Sequence, residues 1–280
     1  MNKAELLAEL EKLGMRPGRG LGQNFLLDGN LLDWIVRNCG VSPGETVLEV
    51  GPGFGALTEK LLAAGAKLTA VEYDHRLADY LRHKFAGAPD FTLVEADACK
   101  VDYDQLFPAG THYRAIANLP YAISSVFIAK MLMTNNPPQS MFFMLQREMA
   151  ERLAAEPGNK AYGALSVRTQ LFYDVTIAKI VPPQVFCPPP EVESALASFR
   201  LRAEPLCDLD TADLTAWLVK LLFGQRRKQL GKLLGQIVGK EAAAAALADA
   251  GFSPELRPDK LTVAEYVALT RSVEPFLNRE

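Results

Sequence analysis

The sequence predicts an α/β protein: an open, mostly parallel seven-stranded sheet followed by a small all-helical domain. Three observations carry this. From Glu45 onward, short β-rich runs alternate with helical patterns, which is the signal of βαβ units. After Leu201 the strand-like runs stop and helical periodicity takes over. A chain of 280 residues is also long enough for one large core and a smaller one, because cores divide as chains approach roughly 250–300 residues.

Taken in order, strands are expected over residues 46–50, 68–72, 91–94, 113–117, 141–146, 175–181 and 194–201. Helices with one apolar face are expected between them over residues 56–64, 76–85, 124–133 and 148–155. The last two strands are joined by a Pro-rich segment with no helical repeat, so they should form an antiparallel pair at the sheet edge. Four helices follow, over residues 211–223, 227–235, 241–250 and 262–276, with Gly224, Gly239 and Gly251 near helix ends. The expected division is a first domain of residues 1–204 and a second of residues 205–280.

Composition narrows the classes. The net charge of -3 gives no bulk attraction to nucleic acid, so any basic surface must be local. The four cysteines match neither a disulfide framework nor a zinc ligand set, so reduced thiols and no metal are expected. The N-terminus carries acids within its apolar pattern, unlike a secretory or transit peptide, and no apolar run reaches the roughly 18 residues of a spanning helix. A cytoplasmic monomer with no membrane attachment is the expectation.

Glu49-Val-Gly-Pro-Gly-Phe-Gly55 falls where the first strand should end and a helix begin. Glycines there let the backbone turn tightly and approach a ligand beside helix N–H groups. Gly51-x-Gly53-x-x-Ala56 also satisfies the loose dinucleotide fingerprint, so a nicotinamide dehydrogenase stays open on this loop alone. Glu72, at the end of the second strand, suits ribose hydroxyls in either case. What discriminates is Asn118-Leu119-Pro120-Tyr121 at the end of the fourth strand, which a dehydrogenase does not need. Singly, Glu72 or Asp97 is a solvated loop acid and the tetrapeptide a strand-ending turn. In order and at strand ends, they argue for one ligand site and against the dehydrogenase. His75, His83 and His112 have no partner motif and read as surface or structural residues.

With these residues the sequence resembles the S-adenosylmethionine-dependent amino-methyltransferases. The likeness extends over nearly the whole chain: Gly20-Leu-Gly-Gln-Asn-Phe-Leu-Leu-Asp28, Asn118-Leu-Pro-Tyr121, Phe186-x-Pro-x-Pro-x-Val-x-Ser194 and Phe223-x-x-Arg-Arg-Lys-x-Leu230 are similar to motifs of the ribosomal RNA adenine dimethyltransferases. The resemblance implies a Rossmann-like methyltransferase fold and S-adenosyl-L-methionine as methyl donor, held by Asn24, Leu26, Gly51, Gly53, Glu72, Asp97 and Asn118. It implies catalysis at Asn118, Leu119, Pro120 and Tyr121, with Tyr121 and Phe186 offering π surfaces to a flipped adenine. Family members often carry Asn after the Tyr; here Ala122 stands there.

Between Leu214 and Lys240 lie Lys220, Arg226, Arg227, Lys228, Lys232 and Lys240, with no Asp or Glu. Beside the catalytic motifs, this run reads as a contact for RNA phosphates, with Arg147 as an extension. The implied partner is small-subunit ribosomal RNA within the immature small ribosomal subunit. The competing readings are a large-subunit RNA methyltransferase of the macrolide-resistance type and an RNA-binding assembly factor without turnover.

Overall fold

The computed structural model describes residues 1–15 and 24–277; positions 20–23 of the first motif lie outside the described residues. The chain runs α1 (Lys3–Lys12), β1 (Phe25–Leu26), α2 (Gly29–Asn38), β2 (Thr46–Val50), α3 (Ala56–Ala63), β3 (Lys67–Glu72), α4 (His75–Lys84), β4 (Phe91–Glu95), α5 (Tyr103–Leu106), β5 (Tyr113–Asn118), α6 (Ser124–Met131), β6 (Ser140–Gln146), α7 (Arg147–Leu153), α8 (Ala164–Gln170), β7 (Tyr173–Val181), β8 (Phe186–Cys187) and β9 (Ser194–Leu201). Then come α9 (Leu209–Gly224), α10 (Leu230–Val238), α11 (Lys240–Asp249) and α12 (Val263–Val273).

Seven strands form one sheet in the order β4-β3-β2-β5-β6-β9-β7. The pairs β2–β3, β3–β4, β2–β5 and β5–β6 are parallel, and β9 runs antiparallel to β6. This is the expected mostly parallel sheet, with β9 and β7 as neighbours at its edge. The strand order reverses between β2 and β5, and ligands of such sheets bind beyond the carboxyl ends of strands at that switch point. Gly51 and Leu119, the residues directly after β2 and β5, therefore fall together. A separate antiparallel ribbon joins β1 to β8, with Phe25 opposite Cys187 and Leu26 opposite Phe186.

The core follows from the pattern of each element. Leu31, Leu32 and Ile35 of α2 and Leu57 and Leu61 of α3 pack on Val47, Leu68, Ile116 and Phe142 of the sheet. The Asp28 carboxylate starts α2 by accepting the Leu31 N–H at 2.8 Å, and Asp74 starts α4 in the same way through Arg76. Sequence periodicity missed α1, α2, α5 and α8. It set the start of α10 too early, because residues 225–228 form a turn closed by Lys228 N–H to the Gln225 carbonyl.

Contacts divide the chain into two compact units, Met1–Ala150 with Thr176–Arg200 and Glu151–Val175 with Leu201–Glu280. A single cut at residue 204 differs from this by placing Glu151–Val175, with α8, in the first part. Within the second unit, Phe223 sits between Tyr162 and Tyr266, at ring separations of 5.9 and 6.0 Å. The two tyrosine hydroxyls donate to the Leu261 and Pro258 carbonyls, so burial leaves neither without a partner.

Candidate active site

The loop after β2 depends on its glycines. Gly51 and Gly53 have φ of 64° and 59°, a region side chains rarely adopt. A Cβ at Gly51 would lie 3.1 Å from Pro120, and one at Gly53 would lie 3.1 Å from the Phe25 ring. The loop is thus pressed between the tetrapeptide and β1. Two cavities open there and share Gly51, Glu72 and Pro120 as lining residues. The smaller, about 90 Å³, is walled by Asn24, Leu26, Glu49, Gly53 and the tetrapeptide from Asn118 to Tyr121. The larger, about 260 Å³, is walled by Tyr73, Asp97, Ala98 and Ile123.

Two carboxylates are buried at this junction, Glu49 at 1% exposure and Glu72 at 5%. Glu72 accepts the N–H groups of Gly53 at 3.2 Å and of Tyr73 and Asp74 at 2.9 Å. Burial nonetheless holds its pKa above the usual carboxylate value, with the three N–H donors acting in opposition. Glu49 has less help. Burial pushes its pKa up to about 8, the Thr58 hydroxyl at 2.7 Å opposes this, and the Glu72 charge adds to it. At neutral pH Glu49 is mainly an uncharged acid. At the far end, Asp97 accepts the Cys99 N–H at 2.9 Å, and its other oxygen is 3.5 Å from the Lys100 ammonium.

The tetrapeptide is held at three points. Asn118 Nδ2 donates to the Asn24 carbonyl at 2.9 Å, which fixes the amide plane and leaves Oδ1 as the acceptor. The Pro120 carbonyl already accepts the Ser124 hydroxyl and the Ile123 N–H, both at 3.1 Å. The Leu119 carbonyl accepts no bond among the described residues, and Leu119 lines the smaller cavity together with Asn118. The Tyr121 and Ser194 hydroxyls are 2.6 Å apart, and Ser194 is fully buried. The second and third sequence motifs, 73 positions apart at these two residues, therefore meet in one hydrogen bond.

Several expected residues stand elsewhere. Phe186 is 4% exposed and lines neither cavity. Its pairing with Leu26 in the ribbon turns it into the core beside Leu31, Val181 and Leu196, so it packs the Pro-rich turn rather than presenting an open face. Arg226 is a structural residue: its guanidinium donates to the Lys160 and Asn159 carbonyls and lies 3.8 Å from Asp259. Arg226→Ala is expected to destabilise the helical unit by about 1–3 kcal/mol, read as a lower unfolding midpoint. Arg147 is paired with Glu193 at 2.8 Å. Lys220, Arg227, Lys228 and Lys232 are exposed. The three histidines are exposed and line neither cavity.

Sequence reasoning passed over Tyr73, which is 68% exposed on the wall of the larger cavity. Its signal was positional: an aromatic directly after the acid that closes β3. It also passed over α1, whose Leu6 and Leu10 pack with Phe54 and Leu77 and whose Leu6 reaches the smaller cavity. Among the described residues no cluster of His, Cys, Asp and Glu is arranged to hold a metal, and no helix is long and apolar enough to cross a membrane.

A parallel sheet that reverses at β2 and β5, a glycine loop with a buried acid at the next strand end, and an acceptor-bearing corner opposite define a class, the Rossmann-like methyltransferases. Comparison with known proteins carries this to the family. The model of the ribosomal RNA adenine dimethylase family matches residues 17–274, and the chain belongs to that family. Ribosomal RNA small subunit methyltransferase A of Hahella chejuensis is 40% identical over 92% of this chain and 93% of its own length. Its namesake from Moorella thermoacetica is 36% identical over 96% of both. Among solved structures, a dimethyladenosine transferase from Plasmodium falciparum is 25% identical with a TM-score of 0.77, over 88% of this chain and 95% of that one. The 23S rRNA methyltransferase ErmE is 26% identical with a TM-score of 0.69, over 90% of this chain and all of that one.

Proposed function

We propose that this protein transfers methyl groups from S-adenosyl-L-methionine to N6 of two adjacent adenosines near the 3′ end of small-subunit ribosomal RNA. It acts as a cytoplasmic monomer on the immature small subunit. The observation that carries the reading is the corner where Asn118 Oδ1 and the Leu119 carbonyl stand as acceptors beside a cavity floored by glycine. Membership of the adenine dimethylase family and the small-subunit relatives support the choice of substrate.

The residues present fit the donor. Asp97 lies in the larger cavity, where a carboxylate suits a purine amine, and Glu72 lies where the cavities join, suited to a ribose diol. Gly51 and Gly53 keep the methionine side of the cavity free of side-chain bulk. When bound, the donor supplies an electrophilic sulfonium methyl. Tyr73, open on the cavity wall, is placed to cover the purine. Tyr73→Ala is expected to raise the donor's Kd about tenfold by calorimetry, in line with roughly 1–3 kcal/mol for stacking on an aromatic side chain.

The chain's part in the chemistry is steering. An adenine N6 lone pair is delocalised into the ring and is a weak nucleophile. Asn118 Oδ1 and the Leu119 carbonyl accept its two N–H bonds, allow the nitrogen to pyramidalise, and aim the lone pair away from the acceptors. As attack proceeds the methyl–sulfur bond breaks and the donor leaves as a neutral thioether. The nitrogen becomes positive, the same oxygens stabilise that charge more than they did the neutral amine, and the proton the nitrogen then sheds passes to solvent. The Pro120 carbonyl, occupied by Ser124 and Ile123, keeps the turn in place. In the second transfer the amine has one N–H left, which one acceptor satisfies.

Tyr121 provides the stacking face for the extruded base, with its ring orientation set by Ser194. Ser194→Ala and Tyr121→Phe are each expected to lower kcat/KM about tenfold, and the double variant to be no worse than either. That non-additivity marks one shared bond; full additivity in the cycle would refute it. The reading itself is tested by incubating the protein with labelled donor and each immature subunit. Label is expected at paired adenines of the small-subunit RNA, and label confined to large-subunit RNA would refute it.

A further inference from the structure

Among the described residues, the walls of the two cavities carry carboxylates and no Lys, Arg or His. Asp74 and Asp97 have cations beside them, Arg76 at 2.7 Å and Lys100 at 3.5 Å. Neither Glu49 nor Glu72 forms an ion pair among the described residues. The three N–H donors of Glu72 favour its charged form. Glu49 is more deeply buried, at 1% exposure, and has a single donor, the Thr58 hydroxyl at 2.7 Å. It therefore stands on the wall of the smaller cavity as an acid that an incoming charge can ionise. Burial, opposed by Thr58 and reinforced by the Glu72 charge, raises its pKa to about 8.

The other titratable groups on that wall are Glu72, Tyr121 and the Met1 amino terminus. Burial raises the Tyr121 pKa, so its hydroxyl keeps its proton near neutral pH. The Met1 ammonium is 3.9 Å from Glu5. A methyl donor of the sulfonium type bears a sulfonium and an ammonium against one carboxylate, so it is a net cation. Its thioether product has lost the sulfonium charge and is net neutral. A cation beside a buried carboxyl favours the ionised form, whereas a neutral molecule of nearly the same shape does not.

We propose that Glu49 distinguishes the charged donor from the spent product: donor binding expels the Glu49 proton to solvent, and a proton returns from solvent once the sulfonium charge is gone. Resting on the reading of this site as one for a methyl donor, the device adds a selectivity that shape alone cannot supply, because the two molecules differ by one methyl group and one charge. Linkage fixes the sign. If the donor loosens the proton, protons must loosen the donor by the same factor, so donor affinity rises with pH up to about 8.

Calorimetry on the full-length protein counts the protons, because the heat measured in buffers of different ionisation enthalpy scales with the number released. S-adenosyl-L-methionine is expected to release about one proton per site near neutral pH, and S-adenosyl-L-homocysteine close to none. The donor's Kd should fall about tenfold between about pH 6 and about pH 7.5, while the product's changes little. Glu49→Gln should abolish the release, flatten the donor's pH dependence, and cut the preference for donor over product about tenfold at the higher pH. The donor's own amine titrates alike against both proteins and drops out of that comparison.

Donor binding to the unmodified protein with no proton released would overturn the proposal, and that measurement needs no variant. Undiminished release from Glu49→Gln would also overturn it, since the proton would then come from Glu72 or the amino terminus. Both results leave the donor site itself standing. If the unmodified protein binds neither donor nor product, the reading of the site falls and the role of Glu49 falls with it.

Discussion

Asn118→Ala is expected to lower the rate of methyl transfer by about 10²–10³-fold, the usual loss when one preorganised hydrogen-bonding group at a reacting centre is removed. The side chain does two things. In the proposed mechanism its Oδ1 accepts from the reacting amine, while its Nδ2 donates to the Asn24 carbonyl at 2.9 Å. The variant should therefore also bind the donor a few-fold more weakly, because Asn24 and Leu26 line the same cavity. Asn118→Asp separates the two effects: a carboxylate still accepts from the amine but has no N–H for Asn24. Single-turnover transfer of labelled methyl, with RNA affinity measured in parallel, reads both. An Asn118→Ala protein that turns over at the normal rate would remove the steering mechanism.

Glu49→Gln is expected to stabilise the free protein, and increasingly so as pH rises. The folded-state pKa of Glu49 is about 8 against an ordinary value of 4.5. Below pH 4.5 the group is protonated in both the folded and unfolded states and has no effect on the balance. Between those two values the unfolded chain gives up its proton while the folded protein keeps it, so stability falls as pH rises. Above about pH 8 the folded protein carries a buried charge. Glutamine keeps an oxygen for the Thr58 hydroxyl and cannot ionise. The variant should match the parent near pH 4.5 and exceed it by a few kcal/mol near pH 9, a gap visible in denaturant midpoints at the two pH values. An equal gap at both would show that Glu49 does not titrate in this range.

Much of the sheet was legible because its strands are short, apolar and separated by turn residues. β2 and β9 occur over the residues expected, the other five strands of this sheet differ only at their ends, and the two short strands β1 and β8 of the separate ribbon were not expected. Helices starting from a recognisable motif were harder to see. α2 begins directly after the Asn-Phe-Leu-Leu-Asp segment, whose reading as a ligand loop masks the apolar face that follows at Leu31, Leu32 and Ile35. The candidate site was legible where a residue type has one plausible task at a strand end, as for Asn118, Glu72 and the glycines. It was not legible where tertiary packing chooses between two tasks. Nothing in sequence distinguishes Arg226, spent on the Asn159 and Lys160 carbonyls, from Arg227 beside it. Nor does it reveal that Phe186 faces inward, because that depends on a two-residue ribbon with a segment 160 positions earlier.

The place of β9 in the sheet has a consequence for biosynthesis. It lies between β6 and β7, both of which leave the ribosome before it does. A nascent chain therefore carries an open seam in its sheet until about residue 201 is made. Tyr121 waits through the same interval for its hydroxyl partner, because Ser194 begins the missing strand. A chain cut before this strand would lack both the strand that closes the seam and the Ser194 hydroxyl, and it is expected to show no methyl transfer in the labelled-donor assay.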